Sequence, residues 1–258
     1  MVYNSGDMDF SWLPERVSKP RSNRITMVMD KGLSLREAED LMSVGAVYID
    51  YIKLGFGTAL ITPGLPDKID LYRRSGVEPY FGGTLFEIFV AKEMLDSYAE
   101  YLRESGITVV EVSDGSYDIG RREKLSIIDS LAKEFTVISE VGSKNKDVHF
   151  TLQQWVTMMT EELQAGSVKV IAEARESGTT GICNEDGSVD NELVSALSER
   201  VGAENIIWEA PDKCQQAWFI NHLGPDVNLG NIAPGEIVAF EALRCGLRGD
   251  TFSLLLPG

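Results

Sequence analysis

The sequence is poor in basic residues. Its 258 residues include 24 Lys and Arg against 40 Asp and Glu, so the formal net charge is −16. A chain this acidic repels phosphate unless basic side chains cluster locally, and no run of consecutive lysines or arginines provides such a cluster. Nucleic acid is therefore not expected as a partner. With 43% hydrophobic and 25% charged residues, the composition is that of a folded globular protein.

Long apolar stretches are also missing. No run approaches the roughly 18 apolar residues that a transmembrane helix requires. The first twenty residues, MVYNSGDMDFSWLPERVSKP, carry acidic side chains and lack the apolar segment of a secretory signal. These absences predict a cytoplasmic protein without membrane contact.

Cysteine and histidine are scarce. The three cysteines, Cys183, Cys214 and Cys245, form no Cys-x-x-Cys pair, which argues against a zinc site and fits a reducing compartment. We expect them to be buried as small apolar residues. The two histidines, His149 and His222, fall away from the predicted strand ends. A histidine base and a histidine-bound transition metal are therefore disfavoured.

A repeated unit dominates the sequence. Apolar, β-branched runs of five to eight residues recur, and each is followed by a turn and an amphipathic stretch. Such alternation predicts parallel strands joined by crossover helices. The eight runs are 24–31 (RITMVMDK), 48–55 (YIDYIKLG), 77–84 (VEPYFGGT), 108–115 (TVVEVSDG), 135–142 (FTVISEVG), 168–175 (VKVIAEAR), 205–211 (NIIWEAP) and 226–232 (DVNLGNI).

The connecting segments and the number of units predict the fold. Helical patterns cover 35–44, 85–105, 123–134 and 152–165, and several end in a glycine just before the next strand. Eight such units in about 230 residues suit a closed (β/α)8 TIM barrel. An open doubly wound sheet is the alternative, but no glycine-rich fingerprint follows the first strand. We therefore predict a single α/β domain, with an N-terminal arm at residues 1–23 and the barrel at 24–258.

Acidic residues lie within the apolar strands. Glu111, Glu140, Glu173 and Glu209 each occupy a predicted strand, where a charge is costly to bury unless it is paired or bound. Alternation along each strand places them on the same face as a valine or an isoleucine. If those faces point inward, the four carboxylates meet at one mouth. They then form either a salt-bridged ring or a ligand set for a hard cation such as Mg2+.

Lysines and glycines near the same strand ends indicate an anionic substrate. Lys53 and Lys144 are candidates for proton transfer if neighbouring groups shift their pKa. The Gly82-Gly83-Thr84 turn opens a helix, whose free N–H groups suit a phosphate. We expect a phosphorylated substrate to contact a set of polar and glycine residues at these ends: Lys53, Gly82, Gly83, Thr84, Arg175, Ser177, Gly178 and Asn228.

Motifs at these strand ends together resemble one enzyme family. They are YIDYIKLGFGT at 48–58, GGTLFE at 82–87, EVSDG at 111–115, SEVGSK at 139–144, EARESG at 173–178, WEAP at 208–211, VNLGNI at 227–232 and EALRCGLRGDTF at 241–252. They occur in order and involve every predicted strand but the first. The chain resembles the phosphosulfolactate synthase family, which adds sulfite to phosphoenolpyruvate in coenzyme M biosynthesis.

The resemblance implies a magnesium-dependent (β/α)8 barrel that assembles as a homo-oligomer, with a trimer expected. It implies that Glu111, Glu140 and Glu173 bind the metal, and that Glu209 is a ligand or orients one. The substrates are phosphoenolpyruvate and sulfite, and the product is (2R)-phospho-3-sulfolactate. Lys144 is then the proton donor, with Lys53 as the alternative. Arg175 and Lys53 are the expected anion clamps.

Two other functions remain open on the sequence. One is a different enzyme on the same metal and anion platform, such as an aldolase or an enolase-like lyase. A Schiff-base aldolase would need a lysine facing the mouth, and Lys53 is the obvious candidate. The other is an interaction protein without synthase activity, because the family includes diverged bacterial members and a plant branch associated with heat stress.

Overall fold

Eight short strands alternate with helices along the chain, as the repeated pattern predicts. The computed structural model describes residues 10–143, 148–174, 179 and 181–256. Each strand lies within one of the apolar runs that the sequence indicates. The strands are β1 (Thr26–Asp30), β2 (Tyr51–Leu54), β3 (Glu78–Phe81), β4 (Val109–Val112), β5 (Thr136–Val141), β6 (Lys169–Ala172), β7 (Ile206–Glu209) and β8 (Leu229–Ile232).

The strands close into a parallel barrel in chain order, with β8 paired to β1. The (β/α)8 prediction is thus confirmed. Within the described residues, nine α-helices accompany the strands: α1 (Leu35–Gly45), α2 (Leu65–Arg74), α3 (Gly83–Ala91), α4 (Leu95–Glu104), α5 (Arg121–Leu131), α6 (Leu152–Ala165), α7 (Asn191–Leu197), α8 (Lys213–Leu223) and α9 (Ile237–Arg244).

One predicted helix is two helices. The pattern over 85–105 indicates a single long helix, but the chain breaks between α3 and α4. Glu93 adopts a left-handed conformation there, with φ = 58°. The turn brings Tyr98 and Tyr101 of α4 back against Phe89 of α3. Aromatic packing between the two helices therefore outweighs the helical propensity of the intervening residues.

Two apolar layers hold the barrel together. The inner layer is small, and its residues alternate with outward-facing ones along the strands. Larger clusters fill the space between the strands and the helices. The inner cluster comprises Ile25, Met27, Tyr80, Val109, Ile138, Ile171 and Ile207. It fills the lower part of the barrel, so that the carboxyl ends of the strands are left for polar side chains.

The N-terminal arm packs across the amino ends of the strands. Arg16 is buried and pairs with Glu241 of α9. The Lys19 ammonium donates to the carbonyls of Ala46, Ile49 and Gly76, which lie after α1, before β2 and before β3. These contacts tie the arm to the end of the barrel opposite the strand-end carboxylates.

The cysteines differ in exposure. Cys183 and Cys245 are buried, whereas Cys214 is exposed, and no disulfide joins any two of the three. The expectation of burial is therefore wrong for Cys214, which lies in the first turn of α8. Across the described residues, no helix has both the length and the apolar character needed to cross a membrane.

Candidate active site

Four glutamates lie at the carboxyl ends of neighbouring strands. Glu111 is in β4, Glu140 in β5 and Glu209 at the end of β7, while Glu173 follows β6 directly. All four are almost completely buried. The residues two positions earlier in each strand belong to the inner apolar cluster. The alternation of side chains thus turns the carboxylates into the barrel.

The Lys53 ammonium lies among three of these carboxylates. Its Nζ is 3.0 Å from Glu111 Oε1, 3.2 Å from Glu140 Oε2 and 3.7 Å from Glu209 Oε1. Burial disfavours the charged lysine, but Glu111, Glu140, Tyr80 and Glu209 together outweigh it, so the pKa of Lys53 lies well above its ordinary value. The lysine is held as an ammonium and is not a nucleophile. This arrangement counts against a Schiff-base aldolase.

Burial has the opposite effect on the carboxyl groups. It raises the pKa of Glu209 to about 7, against the opposing attraction of Lys53 and with added repulsion from Glu140. Burial also raises the pKa of Glu111, again opposed by Lys53. The backbone N–H of Ala174 donates to Glu209 Oε2 at 3.0 Å. Negative charge at this mouth is thus costly, and a single ammonium only partly compensates for it.

The Gly82-Gly83-Thr84 turn donates a backbone hydrogen bond to Glu111. The Gly83 N–H donates to Glu111 Oε1 at 2.5 Å, and Gly83 is the first residue of α3. A Cβ at position 83 would collide with Ser113 and would lie 2.7 Å from Glu111 Oε1. The prediction that this N–H is free for a substrate anion is wrong, because the protein's own carboxylate occupies it. Thr84 is half-buried in the first turn of α3.

Glycines also position Glu173. A Cβ on Gly142 would collide with the Glu173 side chain, and one on Gly181 would collide with the Glu173 carbonyl oxygen. Ile182 N–H donates to that same carbonyl at 3.1 Å. The loops after β5 and β6 therefore approach Glu173 more closely than any residue with a side chain would allow.

Buried charges on the outer helices hold the strand ends. Lys124 of α5 donates to Asp114 Oδ1 at 2.8 Å and to the Glu140 carbonyl at 2.7 Å, and it pairs with Glu162 of α6 at 3.0 Å. The sequence pattern did not indicate Lys124, since a lysine on an amphipathic helix resembles a solvated one.

Glu87 is a second buried charged residue that the sequence analysis did not identify. Glu87 of α3 accepts from the Ser113 hydroxyl and from Ser116 N–H, and thereby clamps the loop after β4. Its only signal is a carboxylate in the otherwise apolar helix GTLFEIFVA. Such a residue is costly to bury without partners, so this signal could have identified it.

Asn228 lies at the opposite end of the barrel from the carboxylates. Its Oδ1 accepts from Ile25 N–H at 3.1 Å, and its Nδ2 donates to the carbonyls of Glu204 and Ile206. These partners lie at the amino ends of β1 and β7. The prediction of Asn228 as a substrate contact is corrected here, because its amide is used to join the starts of three strands.

Four predicted site residues lie outside the described part of the chain: Lys144, Arg175, Ser177 and Gly178. Their neighbours Ser143 and Ala174 are described. Ser143 follows β5, and Ala174 follows β6 and contacts Glu209. The roles of the four as proton donor and anion contacts therefore stay predictions.

The carboxylates suit a divalent cation in charge and in donor type. Among the described residues, no three acidic, histidine or cysteine side chains surround one point as ligands do, and the Lys53 ammonium lies between the carboxylates. Glu111 Oε2 is nevertheless buried, and no described group forms a hydrogen bond with it. Carboxylate oxygens are donors that Mg2+ prefers. Here the carboxylates outnumber the one ammonium group among them. Glu111, Glu140, Glu173 and Glu209 are the residues that would hold it.

Solved structures of other proteins share the barrel. A 3-hexulose-6-phosphate synthase aligns with a TM-score of 0.52 at 17% identity, covering 85% of this chain and 98% of that one. A phosphonopyruvate hydrolase in complex with oxalate and Mg++ aligns with a TM-score of 0.54 at 10% identity, covering 85% and 79%. At these identities the likeness concerns the fold alone.

Sequence relatives are much closer. A phosphosulfolactate synthase from Methanothermobacter thermautotrophicus is 44% identical over 92% of this chain and 95% of its own length. One from Bacillus subtilis is 39% identical over 95% of this chain and 99% of its own length. The family model described as (2R)-phospho-3-sulfolactate synthase (ComA) matches residues 14–250. The chain belongs to the (2R)-phospho-3-sulfolactate synthase family.

Proposed function

We propose that this protein catalyses the addition of sulfite to phosphoenolpyruvate, giving (2R)-phospho-3-sulfolactate. The observation that carries the proposal is the buried cluster of Lys53, Glu111, Glu140 and Glu209 at the mouth of the barrel. It occurs in a chain 44% identical to a phosphosulfolactate synthase. A homo-oligomer that works in the cytoplasm and supplies coenzyme M biosynthesis is the setting we propose for it.

The reaction forms one carbon–sulfur bond and moves one proton. The sulfur lone pair of sulfite attacks C3 of phosphoenolpyruvate, and the electrons of the double bond move through C2 into the carboxylate. A proton then returns to C2, so that no bond to phosphate breaks. When bound, Mg2+ supplies a Lewis acid for the substrate carboxylate, held by Glu111, Glu140 and Glu173 with Glu209 beside them. We assign the proton transfer to Lys144.

Lys53 has the complementary role of binding an anion. Its ammonium is kept protonated by Glu111 and Glu140 despite its burial, which raises its pKa, so it offers N–H donors rather than a base. With Arg175, it would hold the charged groups of the substrate. The burial of the cluster excludes water, which strengthens each of these electrostatic contacts.

The test is a direct assay. The purified protein is mixed with Mg2+, phosphoenolpyruvate and sulfite, and the loss of enol absorbance is followed with detection of a sulfonate product by mass spectrometry. Turnover that needs all three components would support the proposal. Absence of turnover, with no binding of phosphoenolpyruvate or Mg2+ in isothermal titration, would indicate the non-catalytic alternative. Trapping of a carbonyl substrate by borohydride would instead indicate an aldolase.

The assignment of Lys144 has its own test. Lys144→Ala is expected to lower kcat by about a hundredfold or more, the usual contribution of a general acid. Lys146→Ala removes the same charge two residues further along and serves as the matched control, with near-normal turnover expected. Full turnover by Lys144→Ala would show that another group donates the proton.

A further inference from the structure

Strand β8 carries an extra residue where it pairs with β1. Thr26 pairs with Leu229, and Val28 pairs with Ile232. One residue of β1 therefore lies opposite two residues of β8, Gly230 and Asn231. Such a bulge redirects a side chain locally and recurs beside active sites.

The bulge turns the backbone N–H of Asn231 toward the inside of the barrel. Leu229 and Ile232 both belong to one of the apolar clusters between the strands and the helices, so they face outward. Gly230, between them, faces inward, because a Cβ there would lie 2.6 Å from Met27 Cε. The Asn231 N–H points at Met27 as well, 3.4 Å from its Sδ. Met27 is a member of the inner cluster.

This position is next to the carboxylate cluster. Gly230 pairs with Glu209 of β7, so Asn231 lies one residue further toward the mouth. Its backbone is left-handed, with φ = 59°. Asparagine tolerates that conformation better than most residues, but it still has a cost, and strain of this kind is often retained at binding sites.

The side-chain amide of Asn231 lacks a hydrogen-bond partner among the described residues. Asn231 is 8% exposed, and its Oδ1 is fully buried. Its Nδ2 donates to no described group and, unlike Oδ1, is not fully buried. A bound anion can accept from this Nδ2, whereas Oδ1 is itself an acceptor and would need a donor.

The loop after β8 leads from Asn231 into α9. The residues that follow form a short turn at Pro234–Glu236 and then α9. A Cβ added to Gly235 in this turn would have no described atom within 4 Å. In (β/α)8 barrels, the loops after the seventh and eighth strands commonly bind phosphate together with the start of a short helix.

We propose that Asn231 contacts the substrate, with its side-chain N–H donating to an oxygen of the phosphate of phosphoenolpyruvate. The inference rests on the proposed function for the identity of the substrate. It assigns to Asn231 the place at the mouth that the sequence had suggested for Asn228. The neutral amide adds a donor to this site without adding another charge beside Glu209.

Two substitutions test the contact. Asn231→Asp keeps the size of the side chain but replaces the donor with an anion. Asn231→Gly removes the amide and is fully compatible with φ = 59°. Asn191→Asp makes the same change of charge at an exposed position of α7 and serves as the control. Thermal melting establishes that each variant is folded.

The readout is binding of phosphoenolpyruvate in the presence of Mg2+, measured by isothermal titration. Asn231→Asp is expected to raise the Kd by about tenfold to a hundredfold, since a hydrogen bond to a charged group is lost and repulsion is added. Asn231→Gly should raise it by a smaller factor, and Asn191→Asp should not change it. Folded Asn231→Asp and Asn231→Gly proteins that both bind within twofold of the wild type would overturn the proposal.

Two further measurements separate the inference from the proposed function. Inorganic phosphate competing with phosphoenolpyruvate should also bind more weakly to Asn231→Asp. Unchanged phosphate affinity would mean that the amide does not contact the phosphate. If the wild type binds phosphoenolpyruvate but does not add sulfite to it, the proposed reaction is wrong, while weaker binding by the variants still supports the contact.

Discussion

At the scale of single residues, the carboxylates at the mouth outnumber the ammonium group that lies among them. The Lys53 ammonium approaches Glu111, Glu140 and Glu209 within 4 Å. One cation does not offset three carboxylates, so burial still raises the pKa of Glu209 to about 7. This raised pKa links the stability of the fold to pH.

We predict that Glu209→Gln makes stability less dependent on pH. A carboxyl group whose folded pKa is raised stabilises the fold below its unfolded pKa near 4.5, and that contribution is lost as the pH rises through about 7. The free energy of unfolding of Glu209→Gln relative to wild type should therefore increase between pH 5 and pH 8, by up to about 3 kcal/mol. Urea unfolding in chelator-treated buffer measures this.

The control for this prediction is Glu100→Gln, which removes an exposed carboxylate from α4. Its effect on the free energy of unfolding should be small and nearly the same at both pH values. A Glu209→Gln effect that stays constant, or becomes more unfavourable as the pH rises, would contradict the assignment of a raised pKa to this group.

The site glutamates and Lys53 were predictable for a simple physical reason. A charge in an apolar strand is visible in the sequence, and strand periodicity buries it where it must have a partner or a ligand. The bulge that precedes the end of β8 at Asn231 was not predictable in this way. A one-residue bulge changes which side of the sheet a residue faces, and neither composition nor alternation indicated the bulge in β8.

At the scale of elements, buried ion pairs join the helices to the strand ends. Lys124 connects α5 to α6, to the loop after β4 and to the backbone of Glu140. Lys68 connects α2 to the carboxyl end of β1, because its Nζ lies 2.6 Å from Asp30 Oδ2. These contacts fix the carboxyl ends of the strands from outside the barrel.

We predict that Lys124→Met destabilises the fold by about 3–5 kcal/mol, because Asp114 and buried Glu162 lose a partner. Lys133→Met removes a lysine from an exposed pair with Asp129 just after the same helix, and should cost less than about 0.5 kcal/mol. Urea unfolding of both variants makes the comparison. Similar small losses in the two would show that the Lys124 network contributes little to stability.

The elements themselves were largely predictable. Each strand lies within its predicted run, because strands buried on both faces read as continuous apolar segments. The break between α3 and α4 was not predicted. It depends on tertiary contacts of Phe89 with Tyr98 and Tyr101, and a local helical pattern contains no information about them.

At the scale of the whole molecule, the two ends of the barrel have different tasks. The carboxyl ends of the strands carry the buried acidic cluster, while the amino ends are covered by the arm. The arm is held by cationic side chains: Arg16 pairs with Glu241, and Arg21 with Asp50 at 2.7 Å. In barrels of this type, the amino-terminal face contributes to stability and the opposite face to chemistry.

We predict that deleting residues 1–22 lowers Tm by at least about 5 °C, because several hydrogen bonds to charged donors are lost. The synthase activity that we propose should persist below the new Tm, since the arm lies at the far end from the mouth. Deleting residues 1–9 alone retains Arg16, Lys19 and Arg21 and is the control. A loss of activity in the longer deletion at unchanged Tm would contradict this division.

The position of the arm has a practical consequence for handling the protein. A tether that replaces residues 1–9 would join the chain at the start of the described arm, whose Arg16, Lys19 and Arg21 cover the amino ends of the strands. A protein immobilised in this way on a bead or a sensor surface would direct its carboxylate-lined mouth away from the support. Small anions in solution would then reach the mouth without passing the attachment point.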